Sequence, residues 1–284
     1  MLLLVDLDGV VYRGSAPVPG VAAVLAARAA GGDAVVYVTN NSMHHRTEYL
    51  GRLRALGAPV DDAGDRIVSS GRATARYLVE RERGVRRVLV VGAGGLEREI
   101  RDVGLEVVTS ALAATRMAQE GIDGAAAAGM PDAVVVGLDP QATYLRIAAA
   151  ADSIRAGARF VATNRDPVFP TERGLRPGAG SLVAAVETAS GTTPVAIGKP
   201  APLLLELAAS SAGGRPGEAI VVGDSLVTDM AGARAIGARS ILMLTGVTTA
   251  AQVEALPPDE RPTDVARDAA DLERALASLA AGSS

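Results

Sequence analysis

Met1-Leu2-Leu3-Leu4-Val5-Asp6-Leu7-Asp8-Gly9-Val10 begins as an uninterrupted apolar run and ends on two carboxylates and a glycine. Such a short run reads as a strand buried on both faces, the kind parallel sheets use. Asp6 and Asp8 stand two apart where the chain leaves the strand, so their side chains can lean to the same side. Gly9 supplies the freedom to turn immediately afterwards. Two like charges ~4 Å apart repel by about 4 kcal/mol at an effective dielectric near 20. The pair therefore asks for a counter-charge.

Three more apolar runs stop in the same abrupt way. One gives Thr39-Asn40-Asn41-Ser42, another Gly198-Lys199-Pro200, and the last Gly223-Asp224-Ser225, with Asp229 a helical turn later. In open α/β sheets, ligands bind beyond the carboxyl ends of the strands. If the four strands are neighbours, their ends assemble one pocket of four carboxylates, a hydroxyl and an ammonium. A crowded, oxygen-only donor set without His or Cys calls for a hard cation and selects magnesium over zinc. Thr39 offers a hydroxyl. The amides of Asn40 and Asn41 precede an expected helix capped by Ser42, where N–H groups suit an anion. Lys199 adds a compact positive charge.

Around these ends, β-branched runs alternate with Ala/Leu/Arg-rich helical stretches, the pattern of a mostly parallel sheet covered by helices. Strands are expected near Leu2–Val5, Ala34–Val38, Arg87–Val91, Ala133–Val136, Arg159–Ala162, Pro194–Ile197, Ala219–Val222 and Ser240–Met243. Helices are expected near Val21–Ala30, Arg46–Leu56, Ala73–Arg81, Gln141–Ala156, Ser181–Ala189, Pro202–Ala209 and Leu272–Leu279. With 284 residues, the chain exceeds a typical single domain. Arg173–Gly180, rich in Gly and Pro, is the expected hinge.

Composition narrows the function. The chain has 49% apolar residues and a net charge of −4, with 2% aromatics. It offers neither a basic face nor stacking platforms for nucleic acid. Absence of cysteine excludes disulfides and thiolate chemistry and fits a reducing compartment. Neither a secretory leader nor a ~20-residue apolar span is visible, so the expectation is a cytoplasmic protein without a membrane partner. Lys199 is the only lysine among 28 basic residues. In a chain otherwise served by arginine, it marks a place where arginine would not do.

Together, Asp6-Leu7-Asp8-Gly9-Val10, Thr39-Asn40-Asn41-Ser42, Gly198-Lys199-Pro200 and the run Gly223 to Met230 resemble the four motifs of haloacid-dehalogenase-like (HAD) hydrolases. The chain is most similar to the branch of p-nitrophenyl-phosphatase-like, NagD-like, phosphoglycolate and pyridoxal phosphatases. The resemblance spans nearly the whole chain, including Ser69-Ser70-Gly71, Val136-Gly137-Leu138-Asp139 and the stretch from Ala162 to Gly180. It implies a Rossmann-like α/β core over residues 1–82 and 178–284, interrupted by an α/β cap over 83–177. It implies Asp6 as nucleophile, Asp8 as general acid and base, and Thr39 and Lys199 as holders of the phosphoryl group. Magnesium would take Asp6, the Asp8 backbone carbonyl and Asp224, with Asp229 orienting a water. Asn164 and Asp166 would join Asn40 and Asn41 against the substrate, a small phosphorylated metabolite. The branch also suggests a homodimer formed through the cap. It often carries Arg or Asn where Ser225 stands here.

Two other readings are a phosphotransferase of the mutase kind and a non-catalytic binding protein on the same fold. The intact set Asp6, Asp8, Lys199 and Asp224 argues against the latter. Val91-Gly92-Ala93-Gly94-Gly95-Leu96 tempts a dinucleotide reading, but Glu97 replaces the third glycine. A strand-to-helix turn is expected there instead. His44 and His45 are expected to face solvent or the cap.

Overall fold

The computed structural model describes residues 1–120, 130–171 and 174–281. The chain forms two compact units, one of Met1–Thr39, Thr47–Val68 and Lys199–Ser284, the other of Asn40–Arg46 and Ser69–Gly198.

The first unit is built on a six-stranded sheet whose first five strands pair in parallel. Its order is Asp264–Ala266, Arg239–Met243, Ala219–Gly223, Leu2–Asp6, Ala34–Thr39 and Ile67–Ser69. Leu2–Asp6 lies near the middle, with Leu3 opposite Ile220 on one side and Val35 on the other. Leu3, Val5, Val35 and Tyr37 share a core with Val21 and Leu25 of the Val21–Ala30 helix and with Leu272 and Leu276 of the Ala269–Ala281 helix. The alternate residues Leu4, Val36 and Val221 are equally buried, and the helix Pro202–Ser211 packs on the Leu2–Asp6 and Ala34–Thr39 strands. Burial on both faces is why these strands are continuously apolar. The chain leaves the central strand first to one side and later returns on the other, which places a topological switch point at Asp6.

The second unit carries a five-stranded parallel sheet, ordered Val195–Ala196, Arg159–Ala162, Ala133–Val136, Arg87–Val91 and Glu106–Thr109. It also holds a hairpin of Val168–Thr171 against Gly174–Pro177. All eight expected strands are present. Ile67–Ser69, Glu106–Thr109 and Asp264–Ala266 escaped notice because three or four residues carry too little periodicity. The second unit contains all of 83–177 and also takes in Asn40–Arg46, 69–82 and 178–198. Within the expected hinge, Gly174–Pro177 is a hairpin strand and Ala179–Ser190 a helix, while Arg173 lies outside the described residues. Val91 ends a strand and Gly94–Asp102 is a helix, so a strand-to-helix turn stands at Gly92-Ala93 as expected. No helix among the described residues is long and apolar enough to cross a membrane.

One expectation needs correcting. The four chemistry-bearing strands are not all neighbours: Val195–Ala196 pairs with Arg159–Ala162 in the second unit's sheet. A two-residue edge strand, exposed at Val195 and half-buried at Ala196, has no pattern that assigns it to a sheet. Lys199 reaches the first unit from the loop that follows, ahead of the Pro202–Ser211 helix.

Candidate active site

Asp6 closes the central strand, paired in register with Val38, and is 7% exposed. Its Oδ1 accepts a hydrogen bond from Lys199 Nζ at 2.5 Å, and the same ammonium donates to Asp229 Oδ1 at 2.6 Å. Lys199 is itself only 2% exposed. Asp229 accepts from the amides of Asp224 and Ser225 on its other oxygen, at 3.2 and 3.1 Å. That bonding follows from the local fold. After Gly223 the chain turns through one π-helical turn, Leu226–Met230, which Ser225 caps by accepting from the Thr228 amide. The turn swings Asp229 back beneath the strand end. Asp224 Oδ2 in turn accepts from the Val247 amide at 2.8 Å.

Carboxylate oxygens of Asp6, Asp224 and Asp229 lie within 4.8 Å of one another. Three carboxylates against one ammonium leave a formal −2 in a buried place. Burial raises the Asp6 carboxyl well above its ordinary value; Lys199 opposes this, while Asp229 and Asp224 add to it. Burial, then Asp229, pushes Asp224 up to about 6. Burial alone would lower the Lys199 ammonium, but Asp229 and Asp6 outweigh it and hold the group above its ordinary value. The oxygen-only donors and the uncompensated charge suit a hard divalent cation.

Thr39 is buried at the end of the neighbouring strand. Asp8 is exposed just beyond Asp6. There the Leu7 carbonyl collects the amides of Val11 and Tyr12 at 2.9 and 3.2 Å, and the Gly9 amide donates to the Tyr12 carbonyl at 2.7 Å.

The remaining candidates form a cluster inside the second unit. Asn40 Nδ2 donates to Asp166 Oδ2 at 3.0 Å, and Asn164 Nδ2 donates to the Asn40 carbonyl at 2.7 Å. Asn164 Oδ1 accepts the Asp166 amide at 3.1 Å, and Asn41 Oδ1 accepts the Met43 amide at 2.9 Å. Ser42 caps no helix. The helix starts at Arg46, and the buried Ser42 hydroxyl lies 3.3 Å from that of Thr163, because the intervening residues fold onto their own unit. His44 is exposed, whereas His45 is buried with Nε2 3.0 Å from Asp102 Oδ2. Arg46 Nη1 donates to Glu99 Oε2 at 2.5 Å beside it.

Sequence reasoning overlooked one contributor, the loop from Leu244 to Thr249. It follows a fourth strand end of the first unit's sheet, and the signal was present: an apolar strand stopping at Thr245-Gly246.

Comparison with known proteins finds relatives over most of the chain. A family profile described as haloacid dehalogenase-like hydrolase matches residues 3–106, and one described as HAD-hydrolase-like matches residues 196–272. A D-glycerol 3-phosphate phosphatase of Mycobacterium tuberculosis is 39% identical over 272 residues, 96% of this chain and 70% of the relative. A p-nitrophenyl phosphatase from Archaeoglobus fulgidus superposes with a TM-score of 0.83 at 30% identity, covering 96% of this chain and 98% of that one. A glycerol phosphate phosphatase from Mycobacterium tuberculosis, solved in complex with magnesium, gives a TM-score of 0.79 at 39% identity, over 95% and 75% of the two chains.

Proposed function

The chain belongs to the haloacid dehalogenase-like hydrolases, and from that premise we propose that it is a magnesium-dependent phosphatase of small phosphorylated metabolites, with Asp6 as its nucleophile. The observation that carries this is the buried group of Asp6, Asp224, Asp229 and Lys199 at the carboxyl ends of a parallel sheet. Asp6 attacks phosphorus, the bond to the leaving alkoxide breaks, and Asp8 supplies the proton that the alkoxide takes. Water then attacks the aspartyl phosphate, giving a proton to Asp8, and the bond from phosphorus to Asp6 breaks to release phosphate. Splitting hydrolysis in two in this way is what a carboxylate nucleophile offers.

Lys199 opposes the burial that raises the Asp6 carboxyl, and with Thr39 it binds phosphate oxygens. The carboxylates of Asp6 and Asp224 and the Asp8 backbone carbonyl would hold magnesium, which supplies positive charge against the phosphate dianion. Both Asp229 oxygens already have donors, so its part is to hold Lys199 and the Asp224 loop. The second unit is the cap of this reading and selects the substrate, with Asn40, Asn41, Asn164 and Asp166 as its polar contacts. A cytoplasmic homodimer completes the proposal, checked by cell fractionation and light scattering.

The test is release of inorganic phosphate from D-glycerol 3-phosphate and p-nitrophenyl phosphate with magnesium, repeated in chelator. Release that chelator abolishes is expected. Undiminished release in chelator, or transfer of phosphate to an acceptor without release, contradicts it.

A further inference from the structure

The loop after the Arg239–Met243 strand lies against Asp224 at several points. The Val247 amide donates to Asp224 Oδ2 at 2.8 Å. Gly246 sits so close that a methyl group on its Cα would overlap that same oxygen. Gly9, at φ +83°, approaches the same carboxylate, and a methyl group there would overlap it as well. The two glycines therefore bracket Asp224. Thr245, adjacent to Gly246, ties them together: its Oγ1 donates to the Gly9 carbonyl at 2.5 Å. These contacts all lie within the first unit, and those to Asp224, the Val247 hydrogen bond and the close approach of both glycines, converge on its Oδ2.

We infer that Thr245 is a positioning residue for the metal: by joining the loops of Gly9 and Gly246 it fixes the Asp224 carboxylate in the orientation that binds magnesium. The inference rests on the metal-dependent reading above and adds a residue to it. Asp224 is 6% exposed, so its rotation is limited by those neighbours rather than by solvent. The Thr245 hydroxyl is a side-chain bond between the turn after the central strand, which carries Asp8, and the loop that holds Asp224. Partners of this outer kind are worth 10–100-fold in metal affinity at sites where they orient a ligand.

Magnesium binding is measured by isothermal titration calorimetry on the purified full chain, beside the melting temperature of the metal-free protein. Thr245→Val keeps the shape and removes the donor, while Thr245→Ser keeps the donor and removes the methyl. Thr245→Ala replaces the valine variant if that one does not fold. We expect magnesium affinity to fall about 10–100-fold in Thr245→Val and to stay near the parent value in Thr245→Ser, with similar metal-free melting temperatures. Unchanged affinity in Thr245→Val, or equal losses in the valine and serine variants, overturns the positioning role. A parent protein that binds no magnesium overturns the metal-dependent reading itself, which is a separate outcome.

Discussion

At the scale of single residues, the site is a balance between burial and charge, and Lys199 is where the two meet. Its ammonium lies 2.5 Å from Asp6 and 2.6 Å from Asp229, a spacing a compact group fits and a planar guanidinium fork does not. Lys199→Arg should therefore lose nearly as much turnover as Lys199→Ala, measured as kcat on p-nitrophenyl phosphate; near-normal turnover would refute this. The alanine variant should also lose stability, about 3–5 kcal/mol, because it strands two buried carboxylates. Asp224 gives a pH prediction. Its carboxyl rises from an ordinary 3.8 to about 6 on folding, so between those values the folded state keeps a proton that the unfolded state has lost. Metal-free stability contributed by this group is then present below about 3.8 and lost as pH rises toward 6. Magnesium binds the ionised form, so its stabilising shift in melting temperature should be small at pH 5 and large at pH 7.5. An equal shift at both would contradict the role given to Asp224. These residues were legible because reactive groups stopped apolar runs, and a solitary lysine stood out against arginine. The Asp229 bonding was not legible, since a one-turn π-helix leaves no periodic trace in five residues.

At the scale of elements, the strand ends decide what can be brought together. Leu2–Asp6, Ala34–Thr39 and Ala219–Gly223 are adjacent because continuously apolar strands pack side by side between helices. The apolar pattern marks them as buried strands, and the fold sets their order in the sheet. The short Val195–Ala196 strand joins the other sheet, which two residues could not announce. The Thr245–Gly9 bond joins residues 236 apart in sequence, beyond the reach of any local signal. Likewise the pairing of Asn40 with Asp166 depends on a long-range fold. Within that cluster, Asn164 is 4% exposed and its amide is taken up by the Asn40 carbonyl and the Asp166 amide. Asn164→Ala should cost about 1–3 kcal/mol in thermal or denaturant unfolding, the usual penalty for stranding buried polar partners. Asp166→Ala should instead change kcat/KM among phosphorylated metabolites more than on p-nitrophenyl phosphate. Equal losses on every substrate would identify Asp166 as part of a structural turn only.

At the scale of the whole molecule, the account assigns chemistry to the first unit and choice of substrate to the second. Its central claim is that phosphate passes through Asp6 before reaching water. Asp8→Asn should impair leaving-group protonation and water activation by ~10²–10⁴-fold and so lengthen the life of the aspartyl phosphate. Asp6→Asn should abolish turnover, because an amide cannot serve as the nucleophile. The most direct measurement quenches the Asp8→Asn enzyme during turnover of p-nitrophenyl phosphate with magnesium, reduces it with borohydride and maps the product by mass spectrometry. Borohydride converts an acyl phosphate to an alcohol, so residue 6 should appear as homoserine, and only when substrate and magnesium were both present. Continued phosphate release with residue 6 unmodified, or homoserine at another aspartate, would contradict the account.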